Sequence, residues 1–280
     1  MVSEPLPDFL IIGAMRAGTT ALAHYLSQHP EIFISPVKEI HFFDRNSSRG
    51  LAWYRRHFSG AEGGKAIGEA TPGYMYAPDA PGRMWAVVPH ARLIAVLRDP
   101  IDRAYSHYWH NRALGLEPLS FAAAIEAEPR RLAGGGLGQR RYSYLDRGRY
   151  LPQLLRVCKH FSRDALFVIL FEELRDHPAV TFAAVCRFLG VDETFTPPAL
   201  GRPVNRFVQF RSGRLERIAR RLPPLLRGFV RRFNVVRVPY PPLDPALRET
   251  LWRRLAADNQ ALAAWLGKDL SPWMVSAIDR

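Results

Sequence analysis

The stretch FLIIGAMRAGTTAL, residues 9–22, decides the fold class. Its first half, Phe9–Ala14, is a continuous run of β-forming and small apolar residues and reads as a buried strand. A turn of small residues follows, and Thr19–Gln28 carries the pattern of the helix that the strand feeds. Gly13 and Gly18 have the G-x-x-x-x-G spacing of a nucleotide-triphosphate loop, but Thr19 stands where the loop lysine is expected. The cation inside the turn is Arg16. Backbone N–H groups of such a turn, with a helix N-terminus behind them, form an anion cradle. Gly18 permits close approach, and Thr19 and Thr20 add hydroxyl donors. A turn that is small merely for packing is the alternative, and the strand–turn–helix context favours phosphate.

Outward from this stretch, EIFIS (31–35), KAIGEATP (65–72), ARLIAVL (91–97) and ALFVILF (165–171) read as further strands. Helical patterns cover 100–114, with Pro100 in the first turn, and 149–161. Others cover 178–189, stopped by Gly190, and 245–266, stopped by Gly267. Residues 128–148, EPRRLAGGGLGQRRYSYLDRG, are Gly-rich and basic and read as a mobile surface loop. Alternating strands and helices predict an α/β fold of three layers, a central mainly parallel sheet flanked by helices. Ligands of such sheets sit at the carboxyl ends of the strands, where both the Gly13–Thr20 loop and Arg98 fall. No linker or repeat divides the chain, so residues 1–280 are expected to form a single domain.

Composition bounds the partners. The 280 residues carry a net charge of +13, and a basic chain favours an anionic partner. Charge is concentrated from Arg202 to Arg237, with eleven arginines and one acid, Glu216. No unbroken apolar run approaches ~18 residues, and the N-terminus lacks a secretion signal, so a cytoplasmic location is expected. Cys158 and Cys186 are too few for a disulfide framework or a four-cysteine zinc site and read as buried free thiols. The histidines, including His107 and His110, form no metal-ligand pattern.

The second long strand ends in Arg98, followed by Asp99 before Pro100. A cation at a strand tip suits direct grip on an anionic group. Asp99 fits a helix cap, with magnesium ligation the alternative. Together, MRAGTTAL and LRDPIDRAYSHY resemble the sulfotransferase superfamily, whose donor is 3'-phosphoadenosine 5'-phosphosulfate (PAPS). The first is similar to the family's 5'-phosphosulfate loop, K-x-G-T-T; the second to its 3'-phosphate site, an Arg at a strand end and a Ser eight residues on. The resemblance implies that Arg16, Ala17, Gly18, Thr19 and Thr20 hold the 5' side, and that Arg98 and Ser106 hold the 3'-phosphate. It also implies transfer without a metal, with adenosine 3',5'-bisphosphate as product. Arg16 departs from the family lysine: it cannot lend a proton, but its fork grips two oxygens. Lys38 is a candidate second cation.

A third stretch, SPVKEIHFFD (35–44), resembles the E-x-H-F-F-D segment of the glycan-modifying branch, which includes heparan sulfate sulfotransferases. In that branch the glutamate is the proposed base, which makes Glu39 the candidate here. An acceptor hydroxyl needs such a group, because it attacks well only when a positioned base takes its proton. Otherwise Lys38 and Glu39 are solvated loop charges beside a buried Phe42–Phe43 pair. His41 is divided between acceptor contact and a structural role. GEATPGYMY (68–76) resembles the family's E-K-x-P-x-Y segment near the acceptor cleft, giving Glu69 and Tyr74 as candidates, with Ala70 in place of the lysine. Further resemblance, through GRYLPQLLRVCKHF, CRFLGVD and LGKDLSPW, covers nearly the whole chain. The heparan enzymes' K-G-R near the C-terminal cofactor contact is unmatched; Arg237 is the nearest stand-in.

These readings predict sulfuryl transfer from PAPS to a hydroxyl or amine, the acceptor being a carbohydrate or glycolipid. A P-loop kinase or NTPase, and a basic nucleic-acid- or membrane-binding protein, are the competing readings. No nucleic-acid-reading motif accompanies the arginines. The segment 212–233 sets Leu215, Ile218, Leu222, Leu225, Leu226 and Phe229 against an arginine-rich face, with Pro223–Pro224 interrupting any helix. It reads either as a packed amphipathic element with solvated charges or as a peripheral contact to an anionic membrane.

Overall fold

The computed structural model describes residues 4–61, 63–202, 209–210, 212–219, 222–236 and 240–274. In chain order the elements are β1 (Phe9–Gly13), α1 (Thr19–Leu26), β2 (Ile32–Ile34), α2 (Leu51–Arg55), β3 (Ala66–Ala70), α3 (Ala80–Val87) and β4 (Arg92–Leu97). Next come α4 (Pro100–Ala113), α5 (Phe121–Ala133), α6 (Gly136–Tyr142), α7 (Tyr150–Cys158), β5 (Leu166–Leu170), α8 (Phe171–Asp176) and α9 (Pro178–Leu189). Last are β6 (Gln209–Phe210), α10 (Gly213–Ala219), α11 (Pro224–Asn234), β7 (Val235–Val236) and α12 (Pro245–Leu266). They form two compact units, residues 1–98 with 150–205, and residues 99–149 with 206–280.

The first unit holds a parallel sheet in the order β2-β3-β1-β4-β5. Its central strands read as near-continuous apolar runs because both faces are covered: every residue of β1 is buried, and so are Leu93–Leu97 of β4. Leu22 and Leu26 of α1, with Phe182, Val185 and Leu189 of α9, belong to this buried set. The strand at each predicted position is present, with ends trimmed by a residue or two. Gly190, at φ 73°, closes α9 in the left-handed conformation that the sequence required of it.

In the second unit, Ile101, Ala104, Tyr105 and Tyr108 of α4 share a core with Phe121 and Ile125 of α5 and Leu251 and Leu255 of α12. Asp99 is a cap: its carboxylate accepts from the amides of Ile101 at 2.8 Å and Asp102 at 3.2 Å. Arg248 of α12 pairs with Asp99 and, at 2.7 Å, with Asp102, binding the C-terminal helix to the start of α4.

The expected loop at 128–148 is corrected. Ser120 caps α5, which continues through Pro129, and α6 follows at once. Tertiary bonds order the rest. The buried Glu128 carboxylate accepts from the amides of Leu145 and Asp146, both at 2.9 Å, and the buried Tyr144 hydroxyl donates to Glu117 at 2.8 Å. Arg131, which reads as a loop cation, holds Glu117 instead. Cys186 is buried and free, its thiol pushed up to about 12 chiefly by burial; Cys158 is free and half-buried.

Candidate active site

The loop after β1 and the end of β4 meet in the first unit. Arg16 stands in the turn at φ 71°, a backbone region costly for a side-chain-bearing residue, and Gly18 caps α1 at φ 96°. A Cβ on Gly18 would lie 2.8 Å from the ring of Phe171, the first residue of α8. Arg98 spreads its guanidinium over the same ring at 4.8 Å and donates to the Arg16 carbonyl at 3.5 Å. One aromatic side chain therefore fixes both the loop glycine and the strand-tip cation. The Tyr150 hydroxyl holds Arg98 from behind, donating to its carbonyl at 2.8 Å. Phe171 and Tyr150 were missed by the sequence reading, because each lies far along the chain and matches no anion-binding pattern.

Lys38 and Glu39 arrive at this loop from the segment after β2. The Lys38 ammonium donates to the Thr20 hydroxyl, and Arg16 is near enough for its charge to disfavour the Lys38 cation. Burial is the larger cause of that lowering. Glu39 follows directly, its carboxylate 3.9 Å from the Lys38 ammonium. Its backbone is pinned by the Glu39 amide donating to the Ala70 carbonyl at the end of β3, 3.1 Å away. Like Arg16, Glu39 and His41 take positive φ, 57° and 55°. Three strained residues thus belong to the two segments that meet here, a distribution that points to function rather than folding.

Glu39, His41 and Asp44 form a chain of contacts. His41 Nε2 lies 3.4 Å from Glu39, and Nδ1 lies 3.1 Å from both Asp44 oxygens. Burial alone would lower the His41 pKa, but the hydrogen bonds to Asp44 and Glu39 outweigh it and leave it above 6.5. The His41 hydrogen bond holds Glu39 below 4.5 despite burial, with help from the charges of Lys38, His41 and Arg45. Glu39 is therefore an ionised, half-exposed carboxylate at neutral pH, oriented by the His41 ring that Asp44 anchors. Gly73 makes room for this pair: a Cβ there would meet Asp44 Oδ2 at 2.8 Å.

Beneath the segment lies a layer without solvent contact. Glu69 is fully buried and accepts from three hydroxyls: Tyr54 at 2.7 Å, Tyr74 at 2.8 Å and Thr71 at 2.6 Å. Burial raises its pKa, against the three hydrogen bonds. Tyr74 accepts from the Phe42 amide at 2.9 Å, and Thr71 from the His41 amide at 3.4 Å. The expectation that Glu69 and Tyr74 line an acceptor cleft is thereby corrected: both have zero exposure. They brace the backbone on either side of His41 from below. The structure thus brings together Arg16, Gly18, Thr20, Lys38, Glu39, His41 and Arg98, with Ala17 and Thr19 buried in the loop itself. Ser106 is buried on α4 in the second unit, and Arg237 lies outside the described residues.

The family model for the sulfotransferase domain matches residues 6–209. The chain belongs to the sulfotransferase family. Among curated sulfotransferases it is 36% identical over 199 residues to the bifunctional heparan sulfate N-deacetylase/N-sulfotransferase 3 of Homo sapiens, covering 67% of this chain and 23% of that protein. It is 34% identical over 194 residues to heparan sulfate glucosamine 3-O-sulfotransferase 3B1 of Mus musculus, covering 69% and 48%. The matched region therefore spans about a quarter to about half of these relatives' lengths. Among solved structures, the sulfotransferase from Alicyclobacillus acidocaldarius matches with a TM-score of 0.76 at 30% identity, covering 97% of this chain and all of that one.

Proposed function

We propose that residues 1–280 act as one sulfotransferase domain that moves a sulfuryl group from PAPS to a hydroxyl or amine of a carbohydrate-type acceptor, with Glu39 as base. The observation that carries this reading is the Lys38–Thr20 contact, which sets the carboxylate of Glu39 beside the anion loop although eighteen residues separate the two in the chain. The loop suits the donor: Gly18, whose place at φ 96° against the Phe171 ring admits no side chain, lets the turn run straight into the N-terminus of α1, and Arg16, Lys38 and Arg98 supply positive charge around it.

When bound, the donor supplies the sulfuryl group and a phosphate that leaves with the bonding electron pair. Arg16 and Lys38 neutralise charge on the 5' side, fixed dipoles and cations being most effective where charge develops. Thr19, Thr20 and the loop amides add donors there, and Arg98 grips the 3'-phosphate; Ser106 is assigned to that phosphate by sequence resemblance alone. Glu39 takes the acceptor proton as the oxygen or nitrogen attacks. His41 keeps the Glu39 carboxylate oriented and ionised, and Asp44 holds His41. A lowered carboxylate pKa weakens Glu39 as a base but ensures that it is ready at every pH above the ordinary glutamate range.

The test is Glu39→Gln, assayed for transfer of labelled sulfate and, separately, for binding of adenosine 3',5'-bisphosphate. A fall of about 10²–10⁴ in turnover is expected, the usual worth of a positioned base, with product affinity retained. Undiminished turnover removes Glu39 from the mechanism. Thermal stabilisation by adenosine 3',5'-bisphosphate without magnesium, compared with ATP–magnesium and an oligonucleotide, separates this reading from a kinase or nucleic-acid binder.

A further inference from the structure

In the second unit, β6, α10, α11 and β7 form a helical hairpin. Its base is a two-strand ladder, Gln209 with Val236 and Phe210 with Val235. Asn234 is buried and locks the ladder, accepting from the Ser212 amide at 2.9 Å and donating to the Ser212 carbonyl at 3.0 Å. Between these ends α10 and α11 are separated at Pro223–Pro224, where the sequence breaks any helix.

Several large apolar residues described on the two helices face outward. Ile218 is 60% exposed on α10, and Leu226, Phe229 and Phe233 are 55%, 66% and 60% exposed on α11. This contradicts the reading of the segment as a packed amphipathic element. Leu226, Phe229 and Phe233 follow helical spacing and make one stripe, with the two phenyl rings 5.2 Å apart. At 100° per residue, Arg227 and Arg232 fall on the two flanks of that stripe. The segment's one acid, Glu216, is fully buried on α10 and offers nothing to the outside. An exposed aromatic stripe flanked by cations, with the negative charge withdrawn, suits a surface that is apolar within and anionic at its border.

We propose that this hairpin is a docking element for an anionic lipid bilayer, with Leu226, Phe229 and Phe233 entering the acyl boundary and the arginines reaching the headgroups. A second copy of the chain fits less well, since facing hairpins would bring Arg227 and Arg232 together with their counterparts, on a chain already at +13. The proposed contact is a peripheral one; no helix of the described residues is long and apolar enough to cross a membrane.

The experiment is co-sedimentation of the full chain with vesicles of phosphatidylcholine containing phosphatidylglycerol, and with phosphatidylcholine alone, at low and high salt. Binding to the anionic vesicles at low salt, weakened by salt and at least tenfold poorer on neutral vesicles, is expected. Phe229→Ser with Phe233→Ser should abolish it. Arg227→Gln with Arg232→Gln, which leaves the apolar stripe intact, should weaken it about thirtyfold, from roughly 1 kcal/mol per arginine near an anionic surface. No binding at low salt, or equal binding by both double variants, overturns the proposal. So does a self-association by sedimentation velocity that the Phe229→Ser/Phe233→Ser variant dissolves.

Discussion

Tyr74→Phe removes one oxygen from the layer beneath Glu39 and His41, and its consequences can be worked out atom by atom. The Tyr74 hydroxyl donates to Glu69 at 2.8 Å and accepts from the Phe42 amide at 2.9 Å, with no exposed surface. The ring itself, edge-on to Phe43 at 5.2 Å between centroids, stays in the variant, so no sizeable cavity opens. Two losses remain: a hydrogen bond to a buried carboxyl group, about 1.5–3 kcal/mol, and a buried amide left without its acceptor, about 1–3 kcal/mol. They share one oxygen and overlap, so about 2–4 kcal/mol is expected in total. For a chain of this size that lowers the melting temperature by roughly 3–7 °C. Function should change selectively. The Phe42 amide sits next to His41, so turnover should drop while affinity for adenosine 3',5'-bisphosphate stays within about twofold of the parent, because the Arg16–Thr20 loop does not hang on Tyr74. Urea unfolding, steady-state transfer and calorimetry give the three numbers. A stability loss below about 0.5 kcal/mol, the size of an ordinary surface change, together with unchanged turnover would refute the claim that the buried layer positions the base.

Further outcomes follow from the same contacts. Gly18→Ala must place a Cβ 2.8 Å from the Phe171 ring at φ 96°, so strain of about 1–3 kcal/mol and at least a tenfold loss of adenosine 3',5'-bisphosphate affinity are expected by calorimetry. His41, raised above 6.5, contributes stability that is full below 6.5 and lost as pH rises through its folded pKa. Glu39, lowered below 4.5, contributes stability that is present above 4.5 and lost as pH falls through its folded pKa. The pair therefore stabilises most between 4.5 and 6.5, and His41→Ala should lower the stability–pH curve across that window, remove the falls on either side of it and move the acid limb of turnover up toward 4.5. Arg248→Met leaves Asp99 and Asp102 without their cation and should cost about 3–5 kcal/mol in urea unfolding, partly restored by adding Asp99→Asn.

Much of the fold was readable because strands buried on both faces are apolar along their whole length. FLIIG and RLIAVL could be nothing else, and Pro and Gly mark the helix ends beside them. The reading failed at 128–148, where local composition says loop but Glu128 and Tyr144 tie the chain down through contacts distant in sequence. The candidate site divides in the same way. Glu39 stood out only through the resemblance of its segment, whereas Arg16 and Arg98 announced themselves as charges at the ends of strands. Phe171 did not, since an aromatic residue after an apolar strand looks like more of that strand.

The amino-acid order alone determined where the glycine turn and the strand-tip arginine stand in the chain, because both depend on short spacings, glycine to glycine and strand end to helix; Glu39 was marked as a candidate base only by the resemblance of its segment. Only the tertiary structure decided which groups touch. It turned Glu69 and Tyr74 inward as a brace, stacked Arg98 on Phe171, and left Phe229 and Phe233 in the open. Burial is a property of what surrounds a residue in space, and neighbours brought from far along the chain leave no trace in local pattern.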